Sequence, residues 1–202
     1  VVSGPRTATA LADTPQAIGS VDAKTLERDK PASIGDAINR VSGVKWNDLG
    51  NEQHSMGIRQ PINTNAMYQY LEDGLPIRPL GIFNHNALNE INLNGIDRIE
   101  VIKGAASSLY GSNAVGGAVN FITARPSPTP EGLIGLRHDA ENGYSRLDTG
   151  ASTSFGPAGL RFAHYTAHRS RDNWQEYSYL DKDSFTLRGD YALESGSKLT
   201  SI

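Results

Sequence analysis

Residues 98–123 read Arg-Ile-Glu-Val-Ile-Lys-Gly-Ala-Ala-Ser-Ser-Leu-Tyr-Gly-Ser-Asn-Ala-Val-Gly-Gly-Ala-Val-Asn-Phe-Ile-Thr. Two apolar, strand-like runs flank a segment of small residues with four glycines, Gly104, Gly111, Gly116 and Gly117. Glycine permits positive φ and close backbone approach, while Ala105, Ala106, Ser107 and Ser108 add little bulk. The stretch therefore calls for two strands, here Asp97–Ile102 and Val115–Thr123, joined by sharp turns in little space. It is a poor match to a phosphate-cradling loop, because the required Gly-Lys-Ser/Thr ending is missing.

The C-terminal part is organised differently. Ser145 to Phe155 alternates, with Leu147, Thr149, Ala151, Thr153 and Phe155 on one side and Arg146, Asp148, Ser152 and Ser154 on the other. Leu160 to Arg169 is a second strand, and Ser184 to Leu193 a third, with Phe185, Leu187, Tyr191 and Leu193 against Thr186, Arg188, Asp190 and Glu194. Lys198 to Ile202 begins another. Gly156–Gly159 and Glu194–Ser197 are short turns; Ser170–Asp183, with Trp174, Tyr177 and Tyr179, is a longer polar loop. A period of two assigns each strand one apolar and one polar face. Short and long connections on alternating ends match a transmembrane barrel. A soluble meander with one wet face has the same pattern, so the strands alone leave both open. The 38% hydrophobic content is lean for a soluble globule and fits two-faced strands. No run reaches the roughly 18 apolar residues of a membrane helix, a limit that does not touch barrels.

Upstream, Ile18–Val21 reads as a short strand and Ala23–Arg28 as a helical turn. Ser33 is an N-cap before Ile34, Ala37, Ile38 and Val41, one helical stripe that Ser42-Gly43 should stop. Asn47–Glu52 and Pro61–Asn65 are rich in turn formers, with Ile58-Arg59 as a short strand between them. Ala66–Leu71 reads as a strand, Glu72-Asp73-Gly74 as a tight turn and Leu75–Ile77 as extended. Residues 78–90 form a polar loop. Three prolines at 126, 128 and 130 make a stiff linker and a boundary.

Nineteen basic against 22 acidic residues give a net charge of −3, so no basic excess points to nucleic acid. There is no Cys, which removes disulfides, thiol chemistry and zinc-thiolate sites. The chain starts at Val1-Val2-Ser3 without Met or an apolar leader, as expected of a processed chain or one that begins late.

The residues Arg98–Gly104, Ser107–Ser112 and Ala114–Thr123 together resemble the plug domain of TonB-dependent outer-membrane receptors. Thr14–Ile18 looks like the plug's opening strand, Asp36–Val44 like its first helix and turn, and Tyr70–Ile77 like its central hairpin. The resemblance covers residues 1–126 as a plug and 131–202 as the first strands of the barrel. It implies an α+β plug domain followed by antiparallel transmembrane β-barrel strands, an incomplete barrel of about five strands where the family has about 22. Unpaired edges are not tolerated in hydrocarbon, so a longer chain is expected. In such a receptor the plug fills a water-filled barrel, which accounts for the glycines and small residues. Two positions depart from the family pattern: Gln60 stands where Gly usually follows the Arg, and Ala105 where Pro usually follows the Lys/Arg-Gly pair.

The resemblance also implies a ligand site on the plug's outward loops, within 48–55, 60–67 and 78–89. The expected contacts are Gln60, Asn63, Asn65, Arg78, Phe83, Asn84, His85 and Asn86. Asn and His offer donors and acceptors for a polar chelate, and Phe83 offers a ring to stack on; the plain alternative is that these residues shape turns. Arg59 and Lys103 match basic plug positions that pair with barrel carboxylates and lock the plug. Val1, Val2 and Ser3 resemble the tail of the TonB-contacting segment, read by strand addition. His54, Met56, Met67 and His85 are a soft-donor set without ligand spacing, and His164 and His168 lie about 13 Å apart along one strand. No catalytic or metal site and no cofactor is assigned, although the transported ligand is open to being a metal chelate.

The expected function is TonB-dependent import of a scarce nutrient, an iron-siderophore, haem, cobalamin or other metal complex, across the bacterial outer membrane. The expected partners are TonB in the periplasm, outer-membrane lipid and the small-molecule ligand, with no nucleic acid and a monomeric state. A soluble β-rich binding or adhesion module is the alternative. A hydrolase built on Ser107 or Ser108 would need Glu100 as its base.

Overall fold

The computed structural model describes residues 7, 9–50, 52–78, 88–170 and 179–202. It divides into two compact units, one of residues 1–91 and 96–123 and one of residues 92–95 and 124–202.

The first unit is a five-stranded mixed sheet, a separate hairpin and three short helices. The sheet comprises β1 (Ile18–Val21), β4 (Tyr68–Glu72), β5 (Leu75–Pro76), β6 (Ile96–Lys103) and β7 (Gly117–Thr123), in the order β1-β6-β7-β4-β5. Among the described residues only β4 and β7 run parallel. Residues 99–102 of β6 are buried on both faces, as befits a strand between two others. The hairpin pairs β2 (Val44–Gly50) with β3 (Gln53–Ile58). Residues 47–50, expected as loop, are therefore strand. Their turn-forming chemistry goes into a bulge at Asp48/Gly50, where the Asp48 carboxylate accepts the Gly50 N–H at 2.8 Å.

Helix α1 (Ala23–Asp29) starts at Asp22, whose carboxylate accepts the Thr25 N–H at 2.9 Å, and ends at Lys30 in the left-handed region. Helix α2 (Ile34–Ile38) opens with a capping box formed by Ser33 and Asp36 and buries Ile34, Ala37 and Ile38. It stops well before Gly43. Asn39 exchanges two hydrogen bonds with the Trp46 backbone (2.7 and 3.0 Å), which ends the helix and ties it to β2. Val41 is still buried, but from the turn that follows.

The glycine-rich connection contains a helical turn that its composition did not announce, α3 (Ser107–Tyr110), followed by a 3-10 turn at Ser112–Ala114. It folds back on itself through Ala106 N–H to Ala114 O at 2.8 Å. Ala106, Tyr110, Ala114 and Ala118 then pack with Ile18, Leu71 and Ile102. Gly117 is the strictest position: at φ 146 a Cβ would lie 2.3 Å from the Ile102 carbonyl oxygen. Gly116 is needed for close approach alone, since a Cβ there would lie 2.6 Å from the Tyr68 ring.

The second unit is an antiparallel meander of β8 (Glu131–Asp139), β9 (Tyr144–Phe155), β10 (Ala158–Arg169), β11 (Leu180–Ala192) and β12 (Lys198–Ser201), each paired with its sequence neighbours. The proline linker is fastened to it: Ser127 N–H donates to Ser152 Oγ at 2.7 Å, and Ser154 Oγ donates to Ser127 O at 2.8 Å. Residues 92–95 belong to the same unit. Asn92 Nδ2 donates to Ala163 O at 3.0 Å, and Asn94 Nδ2 to Thr149 O and His164 O at 2.9 and 2.8 Å.

This sheet is inside out relative to a soluble meander. Its apolar face is open, with Ile134 81% and Leu136 84% exposed and Phe155, Phe162, Phe185, Leu187 and Leu199 exposed beside them. Its polar face is covered, with Asp148 and Arg188 each only 7% exposed and Ser152, Ser184 and Asp190 also buried. Register stacks the open face into rows. His138, Ser145, His168 and Asp181 oppose one another at one end, and Phe155, Ala158, Tyr191 and Leu199 at the other. The first row is polar, with His138 Nδ1 2.9 Å from Ser145 Oγ and His168 Nδ1 2.5 Å from Asp181 Oδ1. A third contact, His164 to Asp183 at 2.8 Å, lies just inside it. The last row carries aromatic Phe155 and Tyr191.

Candidate functional site

The two basic residues singled out from the sequence meet at one turn although they lie 44 positions apart in the chain. Strand β3 ends at Ile58, and Arg59 takes a left-handed conformation (φ 55) that turns the chain and lets its N–H donate to Gly43 O at 2.8 Å. Such a conformation costs a non-glycine residue free energy, which this hydrogen bond offsets. Lys103 ends β6, and its Nζ donates to the Ser42 carbonyl at 3.2 Å. The Ser42-Gly43 turn thus accepts the Arg59 backbone N–H and the Lys103 ammonium on adjacent carbonyls. Among the described residues neither meets a carboxylate within ion-pair distance. Gln60, at the position where the family pattern has glycine, directs its amide towards Gly116.

The described loop residues separate into shaping and open ones. Asn63 shapes its turn: its backbone pairs with Met56, its Nδ2 donates to Pro61 O at 3.1 Å and its Oδ1 accepts the Asn65 N–H at 3.0 Å. Asn65 and Gln60 are exposed. Arg78 forms an ion pair with Glu90 at 3.1 Å, bracketing residues 79–87. Phe83, Asn84, His85 and Asn86 lie outside the described residues, as do Val1, Val2 and Ser3. Within 48–55, His54 is fully buried and its ring stacks on Trp46 at 3.6 Å between centroids, with Nε2 2.7 Å from the Tyr70 hydroxyl. Burial pushes the Tyr70 phenol far up, so it stays neutral at any working pH. His54 and the buried Met56 are core members that bind the hairpin to β4. No cluster of three ligand-type His, Asp or Glu side chains occurs among the described residues.

The turn at Asp73-Gly74 is docked onto β7. Asp73 accepts the Thr123 N–H at 3.0 Å and the Thr123 hydroxyl, and Asn120 Oδ1 accepts the Gly74 N–H at 2.9 Å. Burial, joined by the charges of Asp73 and Glu90, raises the Glu72 carboxyl above the usual range. Ser107 and Ser108 are exposed on α3, while Glu100 is buried and holds Arg98 at 2.8 Å. Committed to Arg98, Glu100 does not serve either serine as a base.

Sequence reading did not single out Asn92 and Asn94, which attach residues 92–95 to β9 and β10. An Asn-rich stretch looks like any turn; the carbonyls it reaches lie 55–71 positions away.

A family model described as the TonB-dependent Receptor Plug Domain matches residues 10–118. Solved structures share the fold. A complex of FpvAI with pyocin S2 is 21% identical, with a TM-score of 0.77, covering 93% of this chain and 24% of that one. The pyoverdine outer membrane receptor FpvA from Pseudomonas aeruginosa PAO1, bound to pyoverdine, is 20% identical, with a TM-score of 0.75 and coverages of 93% and 27%. The siderophore receptor PiuA from Acinetobacter baumannii is 18% identical, with a TM-score of 0.74 and coverages of 94% and 26%. The chain spans about a quarter of the length of these structures.

Proposed function

The chain belongs to the TonB-dependent receptor plug domain family, and on that premise we propose that it is the N-terminal part of an outer-membrane receptor that imports a scarce nutrient, most simply a metal chelate, at the expense of TonB-transmitted energy. Residues 1–126 act as the plug and 131–202 as the first barrel strands. The observation that carries this reading is the inside-out sheet. An open apolar face beside a covered polar one is unfavourable in water and favourable in lipid. The soluble-module alternative requires the reverse.

In the proposed cycle no bond is made or broken in the ligand. The exposed plug-loop residues Gln60 and Asn65, with Arg78 and with Phe83, Asn84, His85 and Asn86, contact the solute. Arg59 and Lys103 hold barrel carboxylates from strands beyond Ile202, and their pairing is what a pulling force must break. An ammonium at 103 makes that contact a point charge without the bidentate fork of arginine. Val1, Val2 and Ser3 end the segment through which TonB engages the receptor as a monomer.

The test is uptake of radiolabelled iron chelates by cells carrying the full-length gene, with and without a protonophore and with and without TonB. Energy-dependent accumulation by cells with the protein in their outer-membrane fraction is expected. Recovery of the full-length protein in a soluble fraction, or uptake indifferent to both treatments, would refute the proposal.

A further inference from the structure

Three of the five histidines in the chain stand on the open face of the second sheet, all at one end of it. Register places His138, Ser145, His168 and Asp181 in a single row across β8–β11, and His164 lies four residues from His168 on the same face of β10. The face turns apolar immediately inside this edge. Leu136 and Leu147 fall in the next row, Ile134 and Phe185 in the row of His164, and the Phe162 ring stacks on His164 at 6.4 Å between centroids.

Each imidazole is held by an oxygen. His138 Nδ1 meets the Ser145 hydroxyl at 2.9 Å, and His168 Nδ1 meets Asp181 at 2.5 Å. His164 is held at both nitrogens, by Asp183 at 2.8 Å and by the Thr149 hydroxyl at 3.2 Å. Carboxylate and hydroxyl oxygens accept from an imidazolium as well as from a neutral ring, so no bond of the row is lost when the rings charge. The other charged residues at this end of the strands, Arg137, Asp139, Arg146, Asp148, Arg169 and Lys182, alternate onto the covered face. Glu141 lies exposed in the turn between β8 and β9.

An imidazole changes charge between about pH 8 and 5. Among the described residues of this edge, the open face therefore passes from the two negative charges of Asp181 and Asp183 to one positive charge when the three rings are protonated. The change of three units belongs to the histidines themselves and holds whatever charge lies beyond them.

We propose that this edge is a proton-switched docking surface for the anionic phosphate headgroups of the surrounding lipid, repelling them in mild base and holding them in mild acid. Position selects the occupant. Acyl chains that cover Ile134, Leu136, Phe162 and Phe185 end, at this edge, in the headgroups that His138, His164 and His168 meet. The proposal rests on the reading that the open face lies in lipid.

The experiment uses the full-length receptor in phosphatidylcholine vesicles with chelator present and a bimane fluorophore on L136C as its one cysteine. Brominated phosphatidylglycerol and brominated phosphatidylcholine quench the label in proportion to their presence beside it. Phosphatidylglycerol keeps its single negative charge across the range, so any pH effect comes from the protein. Its preference over phosphatidylcholine should rise by about threefold or more between about pH 8 and 5.5. The H138Q/H164Q/H168Q receptor should show no rise, and H138R/H168R should prefer phosphatidylglycerol at both pH values. Heat-modified gel migration checks that both variants are folded. A preference unchanged by pH, or a rise that survives H138Q/H164Q/H168Q, overturns the proposal. Loss of the preference to excess inorganic phosphate at constant ionic strength also overturns it, because the edge would then take a free anion. If neither lipid quenches the label, the lipid reading of the open face falls and the switch with it. Quenching by both lipids without pH-dependent preference leaves that reading standing and removes the switch alone.

Discussion

Replacing Leu187 with arginine distinguishes lipid from water around the open face of the β8–β12 sheet. The polar row of that face includes His168 and the aromatic row at the far end includes Ala158, ten residues apart on β10. Ten residues span about 34 Å of strand, and a tilt of about 40° reduces this to roughly 26 Å, the height of the apolar band of a membrane barrel. Leu187 is paired with Phe162, close to the middle of that band. An arginine there is expected to cost about 2–4 kcal/mol, roughly 30- to 700-fold in the folding equilibrium. His168→Arg, at the polar boundary, should cost about 0–1 kcal/mol. In water the half-exposed Leu187 would accept arginine within about 0.5 kcal/mol. Denaturant titration of the full-length receptor in lipid vesicles measures both variants. Equal costs at the two positions, or a Leu187→Arg receptor as stable as the parent, would refute the assignment of that face to lipid.

Gly117→Ala forces a Cβ against the Ile102 carbonyl at a φ that L-residues avoid, so a loss of about 1–3 kcal/mol is expected, read as faster hydrogen exchange in β6 and β7. Asn94→Ala removes the donor serving the Thr149 and His164 carbonyls and should cost about 1–3 kcal/mol, visible as protease sensitivity around residues 92–95 that Asn94→Asp does not repair. Glu72 has a folded pKa above its unfolded value, so the native state holds a proton that the unfolded chain has released, and stability falls as pH rises through that window. Glu72→Gln should therefore raise the protection of β4 at neutral pH and lose its advantage in acid; an unchanged pH profile would contradict the buried placement.

Much of the fold was legible because it is written in short-range pattern. The Ser33 cap, the Ile34–Ile38 stripe, the Asp73-Gly74 turn and the period-two strands each depend on residues a few positions apart. The errors were local contests decided from a distance. Asn47–Gly50 looked like loop until pairing with β3 absorbed it as a bulge, and the helix expected to run to Ser42 ended when Asn39 found the Trp46 backbone. His54, which the sequence leaves free to be a ligand, is a core side chain because the hairpin folds it onto Trp46 and Tyr70.

By itself the sequence determined that Ser145–Phe155 and Ser184–Leu193 form strands with one apolar and one polar face, and that residues 104–117 turn sharply with little bulk. Tertiary structure alone decided which of those faces is open and that Arg59 and Lys103 share the Ser42-Gly43 turn. The reason is geometric: alternation fixes the relation between neighbours on one strand, whereas covering a face or gathering like charges requires register between segments whose separation along the chain carries no local signal.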